Sequence, residues 1–174
     1  SSVGASVAIA TATQVVTVVP VADTPTITTQ PASGNEGSDI PLDITALLPA
    51  GNTTDVLSVT ISNVPSGATL SSGGTALVPN TDGTYTLSPS QLEDLSIKVT
   101  EQLASTTDLS LTVTAKSRVE NSVATATATQ VVTVVPIADT PTITTQPASG
   151  NEGSDIPLDI TALLPAGNTT DRAV

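Results

Sequence analysis

"VADTPTITTQPASGNEGSD" occupies Val21–Asp39, and "IADTPTITTQPASGNEGSD" occupies Ile137–Asp155. The duplication is wider than this stretch. Gln14–Asp55 matches Gln130–Asp171 at a constant offset of 116 residues, with one difference, Val21 against Ile137. Upstream, SVGASVAIATAT from Ser2 aligns in the same phase with RVENSVATATAT from Arg118. A period of this length makes each repeat a whole domain, not one turn of a solenoid.

Two stretches mark where one unit gives way to the next. VVPVADTP (Val18–Pro25) and VVPIADTP (Val134–Pro141) each set a short polar link between two prolines. Proline cannot donate to a ladder, so these links break strands. Residues 1–20 then read as the last strands of a preceding module, 21–136 as one complete module, and 137–171 as the beginning of the next. The closing RAV (Arg172–Val174) stands where the repeat calls for VLS (Val56–Ser58) and reads as a remnant foreign to the repeat.

Within the complete module the pattern is nearly all strand. TITTQ (Thr26–Gln30) is a first short strand. DIPLDITALL (Asp39–Leu48) places Ile40, Leu42 and Ile44 on one face, and VLSVTISNV (Val56–Val64) does the same with Leu57, Val59 and Ile61. GTALVP and GTYTLSP flank NTDG (Asn80–Gly83), which predicts a hairpin. SPSQLEDL (Ser88–Leu95) is the one helix-like piece, with Ser88 as N-cap, Pro89 in the first position and carboxylates near the start. LSIKVT, LSLTVTA and SVATATATQVVTVV complete the set. Alternation with period two means half-buried strands. Some seven to nine strands in this length fit an immunoglobulin-like β-sandwich, with a small barrel as the alternative. Ala124, Ala126 and Ala128 alternate as a strand packed under a neighbouring sheet would.

Composition narrows the chemistry. The chain has no Phe, Trp, Met or Cys and a single Tyr, Tyr85. Its core must be built from Val, Ile, Leu and Ala, without the large burial that aromatics bring. A bound ion would therefore help stability. Sixteen acidic residues against four basic ones give a net charge of −12, which argues against nucleic acid and anionic membranes and suits cations or plain solubility. No apolar run is long enough to span a membrane, and no signal peptide stands at Ser1.

Catalysis has little to work with. Without His or Cys there is no Ser-His or Cys-His nucleophile and no zinc site of that type. Glu93 and Asp94 are adjacent and diverge by about a hundred degrees on a helical turn. SSGG (Ser71–Gly74) lacks the lysine of a phosphate loop and reads as a turn. No enzymatic activity is expected. Calcium, which takes six to eight oxygen ligands, is the better candidate. Asp23, Glu36, Asp39 and Asp55 fall in loops or at strand ends, with Asp43 nearby. The second copy repeats them as Asp139, Glu152, Asp155, Asp171 and Asp159. The spacing is neither that of an EF-hand nor that of the Gly-rich nonapeptide calcium repeat, and turn carboxylates are the plain alternative.

ADTPTITTQPASGNEGSDIPLDI, LSVTISNVPSGATLS, DGTYTLSPSQLEDLSI and LSLTVTA, in this order, resemble the extender repeats of giant type I-secreted bacterial adhesins of the repeats-in-toxin (RTX) class. The resemblance covers the whole complete module. It implies a cadherin-like or immunoglobulin-like β-sandwich, extracellular display at the bacterial surface, and calcium near the joints between modules. Carried over, Asp139 of the link, Glu36 of the early loop and Asp171 of the next module would form one joint, with Asp23 and Asp55 as their counterparts at the preceding one. Glu152 is the second copy of Glu36. Where such repeats often carry a denser acidic run of DTDGS type, this chain has GNTTD (Gly51–Asp55), with fewer carboxylates for an ion.

Two functions follow as expectations. A structural spacer would hold a distal adhesive region away from a cell, and near-identical copies suit it. Strands of about ten residues would make each module roughly 35 Å long. A carbohydrate- or protein-binding sandwich is the alternative, with Tyr85 as its only aromatic platform. The expected partners are neighbouring repeats of the same chain. The incomplete end segments also expose unpaired edges, which predicts either fraying or strand-exchanged self-association.

Overall fold

The computed structural model describes residues 4–100 and 108–165. Among the described residues of the complete module eleven strands run in order: β1 (Thr26–Thr29), β2 (Ala32–Asn35), β3 (Asp39–Pro41), β4 (Ile44–Leu47), β5 (Val56–Ser62), β6 (Ala68–Ser72), β7 (Thr75–Ala76), β8 (Tyr85–Leu87), β9 (Leu95–Val99), β10 (Leu109–Val119) and β11 (Ser122–Val135). A five-stranded sheet has the order β2-β11-β10-β5-β8, and a four-stranded sheet the order β3-β9-β6-β7. β1 pairs only with β4. The fold is all-β, with two main sheets on one apolar core.

The alternating residues build that core as their period demands. Ile40, Leu70, Leu95, Ile97 and Val99 come from the four-stranded sheet, and Val59, Ile61, Leu87, Leu111, Val113 and Val132 from the five-stranded one. Tyr85 is buried among them. No other aromatic ring is present, so aliphatics interlock instead, the β-branched ones stiff at χ1 and suited to strands.

β11 organises the module. It pairs along its length with β10, from Leu109↔Val132 to Val119↔Ser122. On its other side the chain from the link to β2 tracks it in parallel at one offset. The Ala22 N–H donates to Ser122 Oγ at 2.9 Å, and Thr29 Oγ1 donates to the Thr129 carbonyl at 2.9 Å. Ala32–Asn35 then pair with Val132–Val135. Between those contacts Pro31 has no N–H, and Gln130 bridges the break: its fully buried amide donates to the Gln30 carbonyl at 2.6 Å.

Several expectations are corrected. DIPLDITALL keeps Ile40, Leu42 and Ile44 buried, yet it is two strands in different pairings, β3 on β9 and β4 on β1. The early loop that carries Glu36, SGNEGSD (Ser33–Asp39), opens inside a strand, β2. NTDG is a tight turn, with the Gly83 N–H on the Asn80 carbonyl at 3.0 Å, but not a hairpin. The strands flanking it belong to different sheets, because β7 is held by β6 through the two-glycine turn Gly73–Gly74 and β8 by β5. Both glycines have positive φ, as such a turn requires. The helix-like piece is a single 3-10 turn, Pro89–Leu92. Ser88 and Pro89 stand where expected, and Gln91 Oε1 accepts the Ser88 N–H at 2.9 Å. Glu93 and Asp94 fall beyond its end, since Leu92 and Leu95 are both drawn into the core.

The end segments behave differently from each other. Residues 4–25 contain no strand, although Ser6–Val19 differ from β11 only by Ile9 in place of Thr125. In the second copy, β12 (Thr142–Thr145) and β13 (Ile160–Leu163) pair as β1 and β4 do, Thr142↔Leu163 through Thr145↔Ile160.

Gly34 gives a test of the packing. A Cβ there would lie 2.7 Å from Ile40 Cγ1. Gly34→Ala is expected to destabilise the module by about 1–3 kcal/mol in urea denaturation. Gly150→Ala makes the same local contact with Ile156, at 2.7 Å, but outside the core, and should leave the module's midpoint unchanged.

Candidate functional site

The candidate carboxylates gather at the two ends of β11. At its Ser122 end the incoming link is bound to the module. The Asp23 N–H donates to Asp55 Oδ2 at 2.8 Å, and Ser117 Oγ donates to the same oxygen at 2.7 Å. Ser117 is fully buried on β10, so its hydroxyl fixes the carboxylate from below. Asn52 closes the ring. Its Oδ1 accepts from the Thr54 and Asp55 N–H groups at 3.1 and 3.0 Å, and its Nδ2 donates to Asp23 Oδ2 at 2.7 Å. Asp23 and Asp55 are thus joined through a backbone N–H and through Asn52. In GNTTD an amide stands where a denser acidic run would offer another carboxylate, and it satisfies Asp23 by a hydrogen bond.

These donors favour the ionised form of Asp55 and hold its carboxyl below the usual range, the Ser117 hydroxyl contributing most and the Asp23 N–H next. Asp82, in the NTDG turn, is lowered likewise by the Thr84 hydroxyl and then the Thr84 N–H, at 2.7 and 3.0 Å.

At the Val135 end the outgoing link is bound by Glu36. Its N–H donates to the Val135 carbonyl at 3.0 Å, continuing the parallel ladder one residue past β2. Its side chain is only 8% exposed, and Oε1 accepts the Ile137 N–H at 2.6 Å. Gly37, at positive φ, turns the chain away towards β3, and its N–H bonds the Val99 carbonyl at 2.8 Å. Glu36 Oε2 is buried with no hydrogen-bond partner. A buried carboxylate oxygen left without a donor is costly, so this atom suits a hard cation.

The other carboxylates are less concentrated. Asp39 is exposed at the β3 edge, in register with Lys98. Asp43 is exposed beside a groove of about 700 Å³ between β4 and the 3-10 turn. Glu152, Asp155 and Asp159 are exposed in the second copy, and Asp139 lies two residues beyond the Ile137 N–H. Asp171 falls outside the described residues. Among the described residues no three carboxylates come together as a ready cation cage.

Ser117, Asn52 and Gln130 escaped the sequence reading. Gln130 left a signal, because it occupies the inward phase of Ala124, Ala126, Ala128 and Val132. A polar residue in that phase announces a buried hydrogen bond. Compared with known proteins, the chain matches no family model, no curated sequence and no solved structure.

Two outcomes follow. Both lowered carboxyls contribute stability that is full above the unfolded pKa of about 3.9 and is lost as pH falls through the lowered values. Asp55→Asn should lower the thermal midpoint at about pH 7 and flatten its decline towards about pH 2.5. Glu36→Ala should speed hydrogen exchange at the Ile137 amide by roughly 10- to 100-fold, as loss of a charge-assisted bond of about 1.5–3 kcal/mol requires.

Proposed function

We propose that the chain is a stretch of a tandem array of cadherin-like, immunoglobulin-like modules serving as a structural extender of a large bacterial surface adhesin of the RTX class. One observation carries this reading. The incoming link is bound at the Ser122 end of β11 and the outgoing link at the Val135 end. The chain therefore enters and leaves at opposite ends of a fourteen-residue strand. At about 3.3 Å per residue each module advances the array by roughly 40 Å. Such geometry turns copy number into reach, and near-identical copies add length without new specificity.

Calcium belongs to this reading at the outgoing joint. Glu36 Oε2, Asp139 of the link and Asp171 of the following module would hold it, and the ion would supply positive charge to those carboxylates. At the preceding joint Asp23 and Asp55 are already occupied as hydrogen-bond acceptors, and that end is held chiefly by its own network. Glu152 would take the part of Glu36 at a following joint. The role is that of an extracellular, non-catalytic spacer whose partners are neighbouring repeats. The rival, a carbohydrate-binding sandwich, is disfavoured because Tyr85 is buried and no aromatic ring faces solvent for a sugar to stack on.

Small-angle scattering on arrays of one, two and three complete repeats tests the extender. The maximum dimension should grow by about 40 Å per repeat, and compact arrays would sink the proposal. A thermal melt with calcium and with chelator tests the ion separately. An upward shift with calcium is expected, and it should be lost in Glu36→Gln. Identical melts would remove calcium while leaving the extender standing.

A further inference from the structure

Among the described residues β4 has β1 on one side and no strand on the other. The Gln30 N–H on the Asp43 carbonyl, at 3.0 Å, sets the phase of that pairing. Residues that bond the neighbour alternate along an antiparallel strand. Asp43, Thr45 and Leu47 therefore turn their backbone groups to β1, and Ile44 and Ala46 turn theirs to the outer edge. Among the described residues neither the N–H nor the carbonyl of Ile44 or Ala46 has a hydrogen-bond partner on that side. Yet both residues are only 4% exposed. Buried backbone polar groups are nearly always paired, because an orphan costs as much as a lost hydrogen bond. This edge is short of a partner.

The space for one lies alongside. The groove of about 700 Å³ between β4 and the 3-10 turn is lined by Ile44 and Ala46 on one wall and by Pro89 and Leu92 on the other. Two donors and two acceptors recur along the first wall at every second residue, about 7 Å apart. That is the repeat of another extended backbone, and no single side chain answers all four groups. Charge selects among extended chains. Asp43 and Glu93 are exposed in the lining, and no Lys or Arg lines it. The nearest cations in sequence, Lys98, Lys116 and Arg118, belong to β9 and β10. A second copy of this chain, at a net charge of −12, would bring like charge to the same rim.

We infer that this groove takes an extended basic segment of another protein, added as a strand on Ile44 and Ala46. Strand addition draws affinity from main-chain bonds and specificity from alternate side chains. Apolar side chains on one face of the segment cover Pro89 and Leu92, and Lys or Arg on the other face reaches Asp43 and Glu93. The ladder offers only two outward residues, so the contact is weak and salt-dependent. It is a binding role separate from the extender and does not rest on that reading.

The probe is a capped heptapeptide of alternating Lys and Val, with one of alternating Glu and Val as its opposite. Each is titrated to about 2 mM into the isotope-labelled 174-residue chain and followed by amide resonances. The Lys peptide should shift the Ile44 and Ala46 amides saturably, with a Kd of about 0.1–1 mM. It should also slow their hydrogen exchange about tenfold, as one added hydrogen bond does. The Glu peptide should leave both amides unmoved. Asp43→Lys with Glu93→Lys changes two exposed side chains and should keep the thermal midpoint, lose the Lys peptide and gain the Glu peptide. Silence at those two amides overturns the inference, as does an equal response to both peptides or unchanged preference in the double variant. Shifts of the same amides with protein concentration alone would make a second copy the occupant and overturn it too.

Discussion

The pairing of β10 with β11 is the constraint on which the rest of this structure depends. The same fourteen-residue sequence, but for one residue, occurs twice. Where Leu109–Val119 lies beside it, it is a continuous strand with Gln130 and Val132 buried. Where neither that strand nor β2 lies beside it, it has no regular structure and its valines face water. Intrinsic β-propensity is all but the same in the two places, so propensity does not make this strand. Cross-strand side-chain pairs and burial of one face do. Once β11 is formed it aligns the link, β1 and β2 in a single register, and the segments at Ala22 and Ile137 are bound at its ends.

A local feature behaves in the opposite way. β1 and β4 pair through a connection short enough to be kept in the second copy, with the same register and no core beneath it. The contrast separates what the repeat encodes nearby from what it encodes across the module. Gly34 and Gly37, the Pro31 break and the Asn35–Ser38 turn all belong to the first kind. The core built across the two sheets belongs to the second.

This explains which features were legible in the sequence. Alternation marked the buried residues of DIPLDITALL, VLSVTISNV and LSLTVTA, because period two dictates which side chains share a face. It did not show that β3 and β4 pair with different partners, because sheet membership is decided by strands far along the chain. β2 was hidden because Gly34 and Asn35 have poor strand propensity, and it is the parallel ladder to β11 that makes the stretch a strand. For the site, the loop carboxylates were visible in the sequence, but the grouping of Asp23 with Asp55 and the place of Glu36 at the link came from the resemblance to extender repeats and not from the spacing of the residues. Ser117 and Asn52 could not be foreseen, since a serine within a strand looks like any outward residue until the carboxylate it meets is placed.

The parallel register between residues 22–35 and β11 has a kinetic meaning. Its contacts close a loop of about a hundred residues, so the first strands of a module wait for its last one before they are secured. Contacts of such long range are slow to form and leave intermediates with exposed edges. In the proposed array, with units almost identical, a waiting hairpin would meet equally well-matched partners from the wrong unit. Uniformity among such modules would make the completed array regular and its assembly from an unfolded chain prone to error. The order in which strands become available then decides which of several equivalent pairings is made.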